Sequence, residues 1–151
     1  MLGIGDTAAE FELMDQFDQA RSLQKLLVVG DLVLYFYPID FSPVCTAQAC
    51  LFRDKHAELE GVGAHVVGIS SQDRDSHQRF TQNYELPFPL LCDPDRAVAK
   101  AYGVLGPLGV GVRRATFLID KNRTICNRVV ADVFLGQHAE LINQTLAGIG
   151  N

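Results

Sequence analysis

Leu32-Val33-Leu34-Tyr35-Phe36-Tyr37, followed at once by Pro38, decides the reading of this chain. Six apolar residues, rich in β-branched and aromatic types and free of charge, are the pattern of a strand covered on both faces in a parallel sheet. Gly30-Asp31 opens the run and Pro38 stops it. Downstream, Val44, Ala47, Leu51, Phe52 and Leu59 recur at helical spacing among Arg53, Asp54, Lys55 and Glu58, which predicts a helix over Pro43 to Glu60 closed by Gly61. Ala64 to Ser70 (Ala-His-Val-Val-Gly-Ile-Ser) reads as a second strand. Strand, helix and strand in that order form a βαβ unit, right-handed in nearly all known cases.

Further out the signals are shorter. Ala9 to Asp15 alternates imperfectly and predicts a strand ending in the polar turn Asp15 to Asp18. Asp73 to Tyr84 predicts a second helix, Phe88 to Cys92 a short strand and Asp95 to Tyr102 a third helix. Gly103 to Gly111 is a glycine-rich loop. Arg114 to Ile119 and Thr124 to Val130 flank Asp120-Lys121-Asn122-Arg123, a hairpin composition. A last helix is expected from Gln137 to Ala147, ending at Gly148. The sum is an α/β chain with a mixed central sheet and helices on both faces. It suits a thioredoxin-like fold with an N-terminal strand extension, and residues 1–151 are expected to form one domain.

Composition narrows the function. The chain has 151 residues, 48% hydrophobic and 21% charged, and a formal net charge of −5. These values exclude a disordered chain, a coiled coil and a collagen-like repeat. A basic nucleic-acid-binding face carries the opposite balance, so no nucleic-acid partner is expected. The first residues show no basic stretch and apolar core of a secretory signal, and no apolar run approaches the ~20 residues of a membrane span. The expected location is the cytoplasm, away from membranes. In a reducing compartment the four cysteines read as catalytic, metal-binding or core residues, not as a disulfide framework.

One cysteine stands apart. In Tyr37-Pro38-Ile39-Asp40-Phe41-Ser42-Pro43-Val44-Cys45-Thr46, the chain leaves the carboxyl end of a buried strand and enters a helix, where open α/β sheets place their sites. Ser42 suits the N-cap and Pro43 the first helical position. Cys45 then falls third in the helix, beside unpaired N–H groups and the positive end of the dipole. That setting favours a thiolate. A free thiol of pKa ~8.5 is only about 3% thiolate at pH 7, and lowering it by ~2.5 units takes roughly 3.4 kcal/mol. A helix terminus supplies ~0.3–1 kcal/mol, at most ~2. A cation about 4 Å away adds up to ~4 kcal/mol at an effective dielectric of ~20, so an arginine from elsewhere in the fold is required. Without one, Cys45 is a small buried hydrophobe.

Pro38-x-x-x-Ser42-x-x-Cys45-Thr46 resembles the active-site motif of the peroxiredoxins. The continuation to Ala47-Gln48-Ala49-Cys50-Leu51-Phe52-Arg53-Asp54 is similar to the bacterioferritin comigratory protein and type Q subfamily, as are Phe88 to Pro94 and Arg114 to Asp120. The resemblance runs from Gly5 through the last helix. It implies a thiol-dependent peroxidase that reduces hydrogen peroxide and organic hydroperoxides without metal or organic cofactor. Position by position, it implies that Cys45 is the peroxidatic cysteine and that Pro38 shields it. Ser42 stands where the family usually has Thr; it keeps the hydroxyl that meets the sulfur and peroxide and loses only a methyl. Arg114 matches the arginine over the thiolate. Adjacent residues on a strand face opposite ways, so Arg113 is expected to point to solvent and Thr116 to share the side of Arg114. Gln48 stands where relatives usually carry Glu; it brings no charge and is not counted as catalytic.

The resemblance also implies that Cys50 is the resolving cysteine, recycled by thioredoxin or a similar dithiol in a monomer or weak homodimer. Five residues apart on an intact helix, two Cα atoms lie about 8.6 Å from each other, whereas a disulfide needs less than ~7 Å. The start of the helix must therefore unwind. Cys92 and Cys126 read as packing residues. Some relatives place a resolving cysteine in the second helix, but Asp73 to Tyr84 contains none. His56, His65, His77 and His138 lack ligand spacing, and no metal site is expected. A thiol-disulfide oxidoreductase on the same fold is disfavoured by the four-residue gap between Cys45 and Cys50, and peroxide consumption separates the two. A non-enzymatic redox sensor is the remaining alternative, distinguished by the absence of turnover.

Overall fold

The computed structural model describes residues 1–148; residues 149–151 of the expected domain lie outside them. The decisive strand is β3 (Asp31–Phe36), and every residue of it after Asp31 is buried. Two other strands precede it, β1 (Glu12–Met14) and β2 (Ala20–Ser22), which form a separate antiparallel pair. Between β2 and β3 lies α1 (Leu23–Val29). The main sheet also contains β4 (Ala64–Ser70), β5 (Leu90–Cys92), β6 (Ala115–Ile119) and β7 (Ile125–Val130), in the order β5-β4-β3-β6-β7. Pairing is parallel from β5 to β3 and antiparallel from β3 to β7. The helices are α2 (Pro43–Gly61), α3 (Arg74–Tyr84), α4 (Ala97–Tyr102) and α5 (Gly136–Leu146).

The alternation of β3 divides the core. Leu32, Leu34 and Phe36 face α1 and α4, meeting Leu23, Leu26, Leu27, Ala99 and Tyr102. Val33 and Tyr35 face the other way, with Tyr37 beyond the strand, onto Ala49, Phe52 and Leu59 of α2, Phe80 of α3 and Leu141 and Ile142 of α5. Helices cover both faces as the sequence predicts. Full burial of such side chains contributes about 1.5–3 kcal/mol each, so the sheet centre is the stiffest support available to a site at its edge.

The differences from the sequence reading have local causes. The expected Ala9–Asp15 strand is only Glu12–Met14, because its partner β2 is itself three residues long. Helix α1 carries no clear signal in the sequence. Ser22 caps it by accepting from the Lys25 N–H, and Leu23, Leu26 and Leu27 are buried, but exposed Val28 and Val29 blur the helical period. The Phe88–Cys92 strand shortens to Leu90–Cys92, and α4 begins at Ala97 because Arg96 takes a left-handed conformation with φ 60°. Arg114 lies just before β6 rather than within it, and α5 starts one residue early, at Gly136. Gly30 ends α1 where a Cβ would meet the Gly63 carbonyl oxygen at 2.4 Å, so only glycine lets the two turns approach.

Candidate active site

The chain leaves β3 through Tyr37-Pro38-Ile39-Asp40-Phe41 and enters α2 at Ser42. Phe41 turns it in a left-handed conformation, φ 69°. Ser42 occupies the N-cap and Pro43 the first turn, but the Ser42 hydroxyl makes no capping bond. It donates a long hydrogen bond of 3.4 Å to the Ile39 carbonyl. The backbone closes the turn instead, with the Thr46 N–H on the Ser42 carbonyl at 2.8 Å. The capping role predicted for the hydroxyl is therefore corrected. Its oxygen stays open beside N–H groups that lack intrahelical partners.

Cys45 is 1% exposed. Its Sγ accepts a hydrogen bond of 3.0 Å from Nη2 of Arg114, itself 3% exposed. The rest of the guanidinium is held from two directions. Nη1 donates to Gln48 Oε1 at 2.6 Å, and Nε donates to the Asp132 carbonyl at 3.1 Å. Asp132 Oδ1 also accepts from the Arg114 backbone N–H. Arg114 thus sets a guanidinium directly against the sulfur, the cation from elsewhere in the fold that the helix terminus alone could not replace. Arg113 diverges and pairs with Asp132 Oδ2 at 2.8 Å, half in solvent. That pairing holds the Asp132 carboxyl below the usual carboxylate range. Thr116 lies buried on the Arg114 side, its hydroxyl 2.8 Å from Nδ1 of His138.

Pro38 is exposed. With Leu105, Pro107, Val110, Arg113 and Asp132 it lines an open groove of about 590 Å³, to which Cys45 itself does not contribute. Cys50 lies on α2, half-buried and free, as are Cys92 and Cys126. Burial, reinforced by Asp40, pushes the Cys92 thiol up to about 11, and burial with Asp120 does the same to Cys126. Both are held in the unreactive thiol form at neutral pH. Among the described residues no group of three or more His, Cys, Asp or Glu side chains is gathered for a metal.

Two residues add to the site. Gln48, which brings no charge, is fully buried and orients Arg114, while its Nε2 has no partner. Asp132 holds Arg114 from the other side, although nothing in its local sequence marks it. The Arg-Gln link could have been suspected from spacing, since Gln48 follows Cys45 by three and shares its helix face.

Residues 4–128 match the AhpC/TSA family. The chain is similar to the chloroplastic peroxiredoxin Q of Oryza sativa subsp. japonica, 43% identical over 122 residues, which are 80% of this chain and 56% of that protein. It thus spans little more than half the length of the plant relatives. The crystal structure of the peroxidoxin BcpB from Mycobacterium tuberculosis superposes with a TM-score of 0.91 at 38% identity, covering 99% of each chain. A cysteine-to-serine mutant of PrxQ from Xylella fastidiosa superposes with a TM-score of 0.89 at 30% identity, covering 98% of each.

Proposed function

The chain belongs to the AhpC/TSA family, beside its peroxiredoxin Q proteins, and on that premise we propose that it is a thiol-dependent peroxidase acting on hydrogen peroxide and organic hydroperoxides. The observation that carries the reading is the 3.0 Å contact between Arg114 Nη2 and Cys45 Sγ at the open start of α2. In this reading the Cys45 thiolate attacks the distal peroxide oxygen. The O–O bond breaks, sulfur gains oxygen as sulfenic acid, and the released alkoxide or hydroxide takes a proton to leave as alcohol or water. Arg114 and the free N–H groups of the helix stabilise the charge that develops on oxygen. The Ser42 hydroxyl, free of a capping duty, turns to the peroxide, and Pro38 walls the sulfur from bulk water.

Cys50 then loses its proton and attacks the Cys45 sulfur as a thiolate; the S–O bond breaks, the hydroxide takes up a proton and leaves as water, and an intrachain disulfide forms. Thioredoxin or a similar dithiol returns both thiols. The cycle needs no metal or organic cofactor, runs in a monomer or weak homodimer, and belongs in a reducing compartment, the cytoplasm. Residues 1–151 act as one domain. Among the described residues no helix is long and apolar enough to cross a membrane.

Peroxide loss measured with a thioredoxin system tests the reading. Wild type should turn over, and Cys45→Ser should not, because a neutral hydroxyl cannot replace a thiolate nucleophile. More than a trace of rate in that variant would remove Cys45 from the role. Disulfide exchange without peroxide loss would make the protein an oxidoreductase instead.

A further inference from the structure

The helix that must open to bring Cys50 to Cys45 has no side-chain cap, so something else holds its entry in place. The tightest ties in that entry converge on Asp40, whose side chain is wholly buried. Tyr37 Oη donates to Oδ1 at 2.6 Å. Ser76 Oγ and His77 Nδ1 both donate to Oδ2, each at 2.7 Å. The Asp40 backbone N–H donates to Gln72 Oε1 at 3.0 Å. His77, also fully buried, continues the chain by donating from Nε2 to the Leu91 carbonyl at 3.1 Å. Both ring nitrogens thus face oxygen acceptors, one on Asp40 and one on the β5 backbone.

These partners have a common direction. Gln72, Ser76, His77 and Leu91 belong to α3, the loop before it and β5, none of which has to move when α2 unwinds. Phe41 adds a parallel attachment, its ring edge-on to Phe80 of α3 with centroids 5.2 Å apart, although its backbone is held in the left-handed region. The loop carrying Ser42 and leading to Cys45 is thus fastened to the far side of the site by buried hydrogen bonds and aromatic contact, not by helix capping.

We propose that Asp40 is a positioning residue: with Tyr37, Ser76 and His77 it latches the entry of α2 in the peroxide-reacting form, and its release governs how readily Cys50 reaches the oxidised Cys45. The proposal rests on the peroxidase reading above. It places Asp40 on the balance between two successive steps. A firm latch keeps Cys45 under Arg114 and favours reaction with peroxide. A loose latch favours closure of the disulfide, and so protects Cys45 from a second oxidation to the sulfinic acid.

The test uses the full chain with Asp40→Asn, and Ser76→Ala as a milder second variant in case the first fails to fold. Sulfenic acid formation is timed by quenched-flow mass spectrometry in a Cys50→Ser background, and disulfide closure is timed with Cys50 present. Loss of a charged hydrogen bond should slow the peroxide step about tenfold. Closure should accelerate, and the peroxide concentration that half-converts Cys45 to sulfinic acid should rise several-fold. Ser76→Ala should shift all three the same way by less. A fall in both rates together, or an unchanged sulfinic threshold, would overturn the proposal. Amide hydrogen exchange on the reduced proteins tests the latch without peroxide: amides of residues 41, 42 and 44–47 should exchange several-fold faster in Asp40→Asn, with those of β4 unchanged. Equal exchange would sink the latch even in an active enzyme. A wild type that consumes no peroxide but shows the exchange difference would sink only the peroxidase reading.

Discussion

Arg114 divides its guanidinium between a sulfur and a neutral amide, and the neutrality of Gln48 has a consequence. An amide oxygen orients Arg114 without cancelling its charge, leaving the field available to Cys45. Arg114→Ala should therefore slow alkylation of Cys45 by iodoacetamide at pH 7 by about tenfold or more, at ~1.4 kcal/mol per factor of ten. Gln48→Glu should keep the arginine in place yet slow alkylation about threefold, because the new carboxylate competes for the same charge. Equal alkylation in Gln48→Glu and wild type would show that Gln48 only fixes geometry. The contact between Cys45 and Arg114 could be expected from the sequence because each sits in a short motif. Those of Asp40, His77 and Asp132 could not. Asp40 meets His77 across 37 residues and Asp132 meets Arg114 across 18, and no local pattern announces contacts that distant.

Among the elements, α2 is asked by the proposed cycle to supply both chemistry and motion. It is continuous from Pro43 to Gly61, so closing a bond between positions 45 and 50 cannot leave it intact. Oxidation of wild type with one equivalent of peroxide should lower far-ultraviolet helical dichroism by the equivalent of about one to two turns, and a dithiol should restore it. Cys50→Ser should show no such loss, should react once, and should then accumulate sulfinic acid instead of turning over. Tryptic mapping that joins Cys45 to Cys92 or Cys126 would assign resolution elsewhere. This helix and the strands around it were readable because long periodic or uniformly apolar runs leave few alternatives. The short elements β1, β2 and α1 were not, because three to seven residues hold too little period to separate from a loop.

For the molecule as a whole, three histidines tie stability to pH. Burial lowers the proton affinity of His56, His65 and His138 below the ordinary value. The unfolded chain binds protons at these rings from about pH 6.5 downward, where the folded chain does not. Stability is then full above that pH and is lost as pH falls through it toward the lowered folded values. The melting temperature should drop between pH 7.5 and pH 5.5, before the carboxylates titrate. His138→Gln should flatten that slope whatever it does to the midpoint itself. An unchanged slope would assign the drop to other groups.

The two neighbours of β3 also arrive at very different times. Its parallel partner β4 follows within the same βαβ unit, but its antiparallel partner β6 pairs Leu32 with Ile119 and Phe36 with Ala115. During synthesis the ribosome releases one edge of the most apolar strand long before the segment that seals it has been made. Unsealed edges of this kind recruit other chains. A chain stopped after residue 110 should therefore form aggregates that scatter light at micromolar concentration, while the same fragment mixed early with a 111–151 peptide should stay clear. The strand that makes the finished sheet rigid is the one a nascent chain has most need to keep covered.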